Sequence, residues 1–391
     1  MTQHSTIQEL FTQRYHDLFL DLRSAQANLQ NGDKPTLSGI DLEQSLTARS
    51  LLRVEKQAIR EKDLNQKQAQ NYLNENLVQV NIKVEQRLIE ELKDTENLYR
   101  KVIGIEDTIP LLLDLLNVKA ATTSRIEALA IELPWFCQDL LKLVNQPKYR
   151  RTDSKGKVIL VDSLRAAINR FGIENLNPVV LSLAFRRWLP QITDPYPQIK
   201  NRIWEEALAT SIISRKLASI HQVDENFAFS LGMLSLLGNI VVVRLYFRLF
   251  DTVQREALVE AQNQQQHELH AALTRLVPSG EFLNQLIDQF ALPISASLIN
   301  MMDMKRIFIA NAMQEVASPE PLDELSPLAL VLQQAKGYSR YRLLKMYNLV
   351  DMQEAKDFVR TLQLPQGALA ILKTTDIRTL NLQVTSNPLP N

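Results

Sequence analysis

The stretch Ala228-Phe-Ser-Leu-Gly-Met-Leu-Ser-Leu-Leu-Gly-Asn-Ile-Val-Val242 is the most apolar helical segment of the chain. A helix that is apolar on nearly every side is buried on nearly every side, so this stretch predicts the centre of a helical core. Its interior polar residues are Ser230, Ser235 and Asn239, and no acid, histidine or cysteine lies between Phe229 and Val243. Nothing in that set ligates a metal or moves a proton at neutral pH. The segment is expected to be core rather than a catalytic floor.

Working outward, 391 residues with 45% hydrophobic and 23% charged content are enough for two or three packed domains and exclude wholesale disorder. Ten glycines and scarce period-two alternation point to an all-α protein. Lys plus Arg equals Asp plus Glu at 44 each, so no global field favours nucleic acid, anionic lipid or an acidic substrate. A lone cysteine, Cys137, excludes an intramolecular disulfide framework and suits a reducing compartment. Beside Trp135 and Phe136 it reads as a buried, inert thiol. The N-terminal residues carry no secretory signal, and no stretch reaches the roughly 20 apolar residues of a bilayer span. A cytoplasmic protein with no membrane partner is the expectation.

Three regions follow from the punctuation. Residues 1–104 predict an N-terminal helical region. It opens with an amphipathic helix over 5–30 whose start has Ser5 paired with Gln8, and it breaks at Asn31-Gly32. A helical start near Ser38 or Asp41 follows, then a hairpin or coiled-coil-like stretch. Its polar middle, Glu61 to Gln70, is exposed, and its second helix runs from about 76 to 103 and ends at Gly104. Residues 105–300 form the central domain, a run of short helices around a helix from Ala228 to Phe250. Residues 301–391 predict a C-terminal helical extension, with a helix from Met301 through Met313 and another from Ser326-Pro327 to about Gly337. A further helix starts at Asp351 with Glu354, and the tail from Thr374 is an edge strand or disordered.

Two polar clusters carry chemical readings. The loop Asn145–Lys157 is the most basic segment, and Lys148, Arg150, Arg151 and Lys155 are candidates for an anion or nucleotide-phosphate contact, against the plainer reading of a solvated loop. His267 and His270 share a helix face at i, i+3, a spacing that can bind metal, but no third ligand accompanies them. Lys336, Arg340, Arg342 and Lys345 interleave with Tyr338, Tyr341 and Tyr347, which suits either a partner-binding helix or an ordinary amphipathic one.

Several spaced pieces then resemble one family. Leu133-Pro134 with Leu140-Leu141-Lys-Leu-Val-Asn145 is similar to a family segment Asp-Pro-x-Leu…Leu-Leu-x-x-x-Asn. Ser163-Leu164-Arg-Ala-Ala167-Ile168-Asn-Arg-Phe171-Gly172 is similar to Ser-Leu/Ile-x-x-Ala-Ile-x-x-Leu-Gly. Trp204-Glu-Glu-Ala-Leu208 resembles Trp-x-His-Ser-Leu, and Ala228-Phe229 through Gly238 resembles Ala-Phe-x-x-Gly-Leu-Leu-His-Asp-Ile-Gly. Together they resemble the HDOD domain family, bacterial relatives of the HD-domain metal-dependent phosphohydrolases, over roughly residues 105–300. The resemblance implies an HD-like helical bundle that lacks catalytic residues and serves as a signalling output.

The departures from the HD pattern are specific. Ser235 and Leu236 stand where the metal-binding His-Asp pair would be, and Glu206 and Ala207 stand where an upstream His-Ser would be. A serine hydroxyl is a poor ligand and a leucine is none, so no catalytic residue, metal or other cofactor carries across. The expected function is a non-enzymatic regulatory protein that presents its helical flanks to a protein partner, with self-association open. The alternatives are a nucleotide or phosphate-ligand sensor without hydrolysis, and a surviving phosphohydrolase using His267, His270 and Glu206. The alignment also expects Ser235 to lie beside Glu206 across an apolar, metal-free groove.

Overall fold

The computed structural model describes residues 3–31, 52–118, 121–152, 157–318, 321, 324–380 and 382. In order the elements are α1 (Gln3–Leu20), α2 (Leu22–Asn31), α3 (Arg53–Leu92), a turn Thr95–Asn97 that runs into a π-helix Leu98–Ile103, α4 (Thr108–Leu116), α5 (Thr123–Ala130) and α6 (Pro134–Val144). A two-residue antiparallel pair follows, β1 (Arg151–Thr152) with β2 (Val158–Ile159). Then come α7 (Leu164–Phe171), α8 (Ile173–Trp188), α9 (Ile199–Ala218), α10 (Glu225–Leu234), α11 (Leu237–Asn263), α12 (His267–Thr274), α13 (Gly280–Met301), α14 (Ala310–Ala317), α15 (Pro327–Met346), α16 (Met352–Thr361) and α17 (Ala368–Thr374). The fold is all-α.

The apolar stretch at 228–242 is core, as its composition demands, but it is two helices rather than one. α10 stops at Leu234 and α11 starts at Leu237, with Leu236 at φ −101°, ψ 10° between them. Packing imposes the break. A Cβ at Gly238 would lie 1.8 Å from the Ala291 carbonyl oxygen, so the first turn of α11 presses directly on α13. Breaking a helix frees backbone groups that must find partners when buried. Ser295 of α13 provides them: its Oγ accepts from Gly238 N–H at 2.8 Å and lies 2.9 Å from the Ser235 carbonyl as a donor. Gly232 does the same for the other side, since a Cβ there would sit 2.7 Å from Ser211 Cα on α9. The two glycines therefore let α10 and α11 approach α9 and α13.

Around this pair one continuous apolar core runs from Phe11 in α1 to Leu382. α9 packs against α10 on one side and α15 on the other, and α11 packs against α13 and α3. The flanks join the same core. Phe11 of α1 stacks on Phe358 of α16 with ring centroids 3.9 Å apart, and Arg14 grips Glu354 with both guanidinium nitrogens at 2.6 and 2.7 Å. At roughly 1.5–3 kcal/mol for each fully buried large apolar side chain, such burial outweighs local propensity throughout.

Several sequence expectations change. Residues 53–92 form one 40-residue helix, not a hairpin arm, and its buried residues, Val80, Asn81, Val84 and Leu88, all lie near its C-terminal end. The polar middle stays exposed but helical, because Gln, Lys, Glu and Asn in water cost a helix little. The expected end at Gly104 holds: it caps the π-helix at φ 78°. α1 begins at Gln3, which places Ser5 inside the helix rather than at its cap, and the expected single helix over 5–30 is interrupted at Asp21. The helix expected over Met301–Met313 is instead the end of α13 and the start of α14. The helix expected to stop near Gly337 runs on to Met346, because Gly337 serves packing. A Cβ there would meet Leu362, which follows the last residue of α16, at 2.4 Å. α16 opens with the expected capping box, Asp351 with Glu354. Thr375 to Leu380 is irregular rather than an edge strand. The expected start near Ser38 or Asp41 and residues 383–391 of the tail lie outside the described residues. One described stretch, Glu225–Asn263, is apolar enough to cross a membrane, and 89% of its apolar window is buried inside the protein.

Candidate functional site

The site grows from α9. Its amphipathic sequence places Glu206 one residue before Ala207, and both are inside: Glu206 is 1% exposed. A carboxylate at that depth requires partners. They come from the flanks and not from the central helices. Tyr15 of α1 donates its hydroxyl to Glu206 Oε2 at 2.7 Å, and Arg340 of α15 donates Nε–H to Glu206 Oε1 at 2.8 Å. The Arg340 guanidinium also lies over the Tyr15 ring, 4.7 Å from its centroid. Glu206 thus ties α1, α9 and α15 through a single buried side chain.

The electrostatics follow from that geometry. Burial by itself would raise the Glu206 carboxyl, but Arg340, then Lys336, and the two hydrogen bonds outweigh it and hold the group below its ordinary value. Burial foremost, and then the facing carboxylate, push the Tyr15 hydroxyl well up. Arg340 stays charged: burial opposes its charge, yet Glu206 raises it overall. Lys336, one turn before Arg340, is pushed down to about 8 by burial and by Arg340, with Glu206 and Asp288 opposing.

Lys336 and Arg340 also line a cleft of about 340 Å³ whose other walls include Thr12, Asn239, Asp288 and Gln334. Asp288 faces His16 at 3.1 Å. The seam between α9 and α15 continues as a polar ladder: Thr210 meets Ser339 at 2.9 Å, His221 meets Gln334 at 2.9 Å, and Tyr347 donates to Glu205 at 3.0 Å. These pairs set an antiparallel register, with rising residue numbers on α9 opposite falling ones on α15.

The degenerate positions are placed as follows. Ala207 and Leu236 are buried apolar contacts, 0% and 1% exposed. Ser235 is buried and donates its hydroxyl to the Gly232 carbonyl at 2.9 Å, closing the last turn of α10. The apolar surroundings expected for Glu206 opposite Ser235 do not hold. Glu206 is turned toward Tyr15 and Arg340, and its surroundings are charged and hydrogen-bonded. The correction has a simple cause: a buried carboxylate draws in a cation, and the cation comes from a segment the central domain alone does not contain.

These residues do not fit an HD metal. A carboxylate neutralised by a guanidinium, a serine hydroxyl committed to a backbone carbonyl, a leucine and an alanine are not a ligand set for a divalent ion. Among the described residues no group of three or more His, Cys, Asp or Glu is placed to hold one. His267 and His270 lie in the short helix α12, with His267 exposed, and Glu206 is engaged elsewhere.

The basic loop is only partly described. Lys148 donates to the Leu380 carbonyl at 2.9 Å and lies over the Tyr149 ring, while the Tyr149 hydroxyl donates to the same carbonyl at 3.1 Å. The loop therefore holds the chain's own tail. Arg150 is exposed, and the Arg151 side chain and Lys155 lie outside the described residues. Cys137 is half-buried, donates to the Ala130 carbonyl at 3.2 Å, and has its thiol pushed up by burial.

Sequence reading missed Tyr15, Lys336 and Arg340 as site residues. The one available signal was the unpaired acid at Glu206 in an apolar helix, which demanded a cation without saying which. Comparison with known proteins finds one family segment and two structures of weak likeness. Residues 105–280 match the HDOD domain. Two solved structures, both from Shewanella amazonensis SB2B, are similar in shape. One, titled a “Putative phosphohydrolase”, has TM-score 0.41 and 17% identity over 71% of this chain and 96% of that one. The other, titled a “Putative metal-dependent phosphohydrolase”, has TM-score 0.40 and 12% identity over 72% and 98%. No curated protein matches the sequence.

Proposed function

We propose that this chain, whose residues 105–280 are an HDOD domain, is a non-enzymatic regulatory protein that works by presenting its helical flanks to a protein partner. The observation that supports the reading is the use made of Glu206. Where the HD pattern needs a ligand for a catalytic ion, the side chain instead receives Tyr15 from the N-terminal flank and Arg340 from the C-terminal flank. A carboxylate consumed in a buried ion pair is chemically quiet and mechanically useful. It joins the flanks to the core, so that a partner acting on either flank acts on the whole body.

The test is direct. Purified protein is analysed for iron, manganese and zinc, and assayed for phosphodiesterase activity with each ion added. The expected result is no stoichiometric metal and no hydrolysis above buffer. A stoichiometric ion that Glu206→Gln removes, or hydrolysis that it abolishes, overturns the proposal.

A second reading, a sensor that binds a phosphate-bearing ligand without hydrolysing it, is favoured by one observation. Lys336 lines the 340 Å³ cleft and has no ion pair among the described residues. Calorimetric titration with mononucleotides and cyclic dinucleotides decides it. Heat that disappears in Lys336→Met supports the sensor, and no heat with any of them removes it.

A further inference from the structure

The C-terminal helices carry a second feature that the Glu206 site does not use. α15, α16 and α17 enclose a groove of about 770 Å³ whose floor is Tyr338, Tyr341, Val359 and Leu364. A neighbouring hollow of about 560 Å³ shares Tyr338, Tyr341, Lys345 and Lys373 with it, so the two adjoin as one trough. Its lips are apolar and open to water: Met352 is 77% exposed and Leu369 36%. Large exposed apolar side chains along a concave surface mark binding surfaces, and methionine suits one that must adapt to its occupant.

The rim carries an excess of positive charge: Lys345, Lys356, Arg360 and Lys373 line the groove against the single acid Asp351, and Arg342 and Arg378 line the neighbouring hollow against Asp376. Lys345, Lys356 and Lys373 line the groove, are exposed, and form no ion pair among the described residues. The acids nearby are already engaged. Asp351 caps α16, Asp357 pairs with Arg360 at 3.1 Å, and Asp376 holds Arg378 at 3.3 Å. In a chain with 44 cationic and 44 anionic residues, three unpaired lysines around one apolar trough are a local excess that calls for anionic complement.

We propose that this trough is the docking site for an acidic amphipathic helix of a partner protein, its apolar face on the tyrosine floor and its carboxylates on the three lysines. The inference rests on the regulatory reading above and names the chemistry of the partner. A groove walled by Val350, Met352, Ala355, Val359, Leu364 and Leu369 and rimmed by cations suits the apolar face and flanking carboxylates of an amphipathic helix. The trough lies on the same helix, α15, that supplies Arg340 to Glu206, so docking there bears on the joint between flank and core.

The experiment uses full-length protein and two fluorescent helical peptides. Both carry leucines at i, i+3, i+4 and i+7. One has glutamate and the other lysine on its flanking positions. The acidic peptide is expected to bind about tenfold or more tightly than the basic one, from three rim pairs at surface-pair strength. Its affinity should fall with salt and be lost in the variant Lys345→Glu, Lys356→Glu, Lys373→Glu. These lysines are exposed, so the variant is expected to keep the wild-type circular dichroism and melting temperature.

Equal binding of both peptides, or acidic-peptide binding untouched by the triple reversal, overturns the proposal. So does binding to phosphatidylglycerol vesicles that the acidic peptide fails to displace, or self-association that the same reversal abolishes. The failures of the two readings are separable. Hydrolysis by wild-type protein sinks the regulatory role whatever the peptides do, and loss of peptide selectivity sinks the groove while leaving the metal and hydrolysis assays unchanged.

Discussion

Removing Arg340 should leave Glu206 as a buried, nearly unpaired charge, and the consequence can be worked out from the geometry. Glu206 is 1% exposed and holds Arg340 at 2.8 Å and Tyr15 at 2.7 Å, while the Arg340 side chain is 27% exposed. Breaking a buried ion pair by deleting one partner costs about 3–5 kcal/mol. Partial access of water to Arg340 places Arg340→Met at the lower end, about 3 kcal/mol at pH 7. Arg340→Met with Glu206→Gln should cost less than the sum of the two single changes, with a coupling of about 2 kcal/mol, since the double variant no longer leaves the Glu206 or Arg340 charge buried without its partner. Urea unfolding followed by circular dichroism measures all four proteins.

The pH dependence supplies a sign that simple loss of packing does not mimic. In the wild type the folded Glu206 lies below its ordinary value of 4.5, so its contribution is present above that value and fades as pH falls through the lower folded one. In Arg340→Met the largest opposing influence on burial is gone, so the folded carboxyl is expected to move up from its wild-type position, with Lys336 and Tyr15 still holding against it. Acidification then protonates the variant's carboxyl before the wild-type one, so the stability gap between them narrows as pH falls. An Arg340→Met cost under about 1 kcal/mol, additive with Glu206→Gln and flat with pH, would refute the reasoning, because Glu206 would then be free to serve as a ligand.

Other consequences are checked more briefly. Lys336 lies at about 8 in the fold against an ordinary 10.5, so the unfolded chain binds more protons between those values and stability rises with pH across that window. Lys336→Met should lose that rise relative to wild type, by at most about 3 kcal/mol over the whole window, in urea titrations from pH 7 to 11. Gly238→Ala puts a methyl 1.8 Å from the Ala291 carbonyl, which forces α11 away from α13 and should cost about 3 kcal/mol or prevent folding, read by thermal melting. Asp351→Ala removes a cap that accepts from Gln353 and Glu354 N–H and should cost about 1 kcal/mol in the same assay. Amide exchange should show fast opening along residues 53–72 of α3 and slow opening around Val84 and Leu88, because packing on the core begins only at Leu73 and Leu77 and is complete further on.

The fold class was legible because it rests on local pattern. Apolar spacing, few glycines and caps such as Ser163 and Asp351 are properties of neighbouring residues, and the structure keeps them. The resemblance that matches the HDOD domain over residues 105–280 was legible too, from local pieces such as Ser163–Gly172. What the sequence could not display was the break at Ser235 and Leu236. It arises from Ala291 and Ser295, more than fifty positions away, pressing on Gly238.

The site divides in the same way. That Glu206 is an acid in an apolar helix, and that Ser235 and Leu236 offer no metal ligand, is written in the chain. Which cation answers Glu206 is decided only when α1 and α15, 191 and 134 positions away in sequence at Tyr15 and Arg340, close on α9. A buried charge dictates that a partner must exist, since desolvation leaves no other stable outcome. The identity of the partner is a matter of which helix the rest of the core brings within 3 Å, and tertiary packing alone decides that.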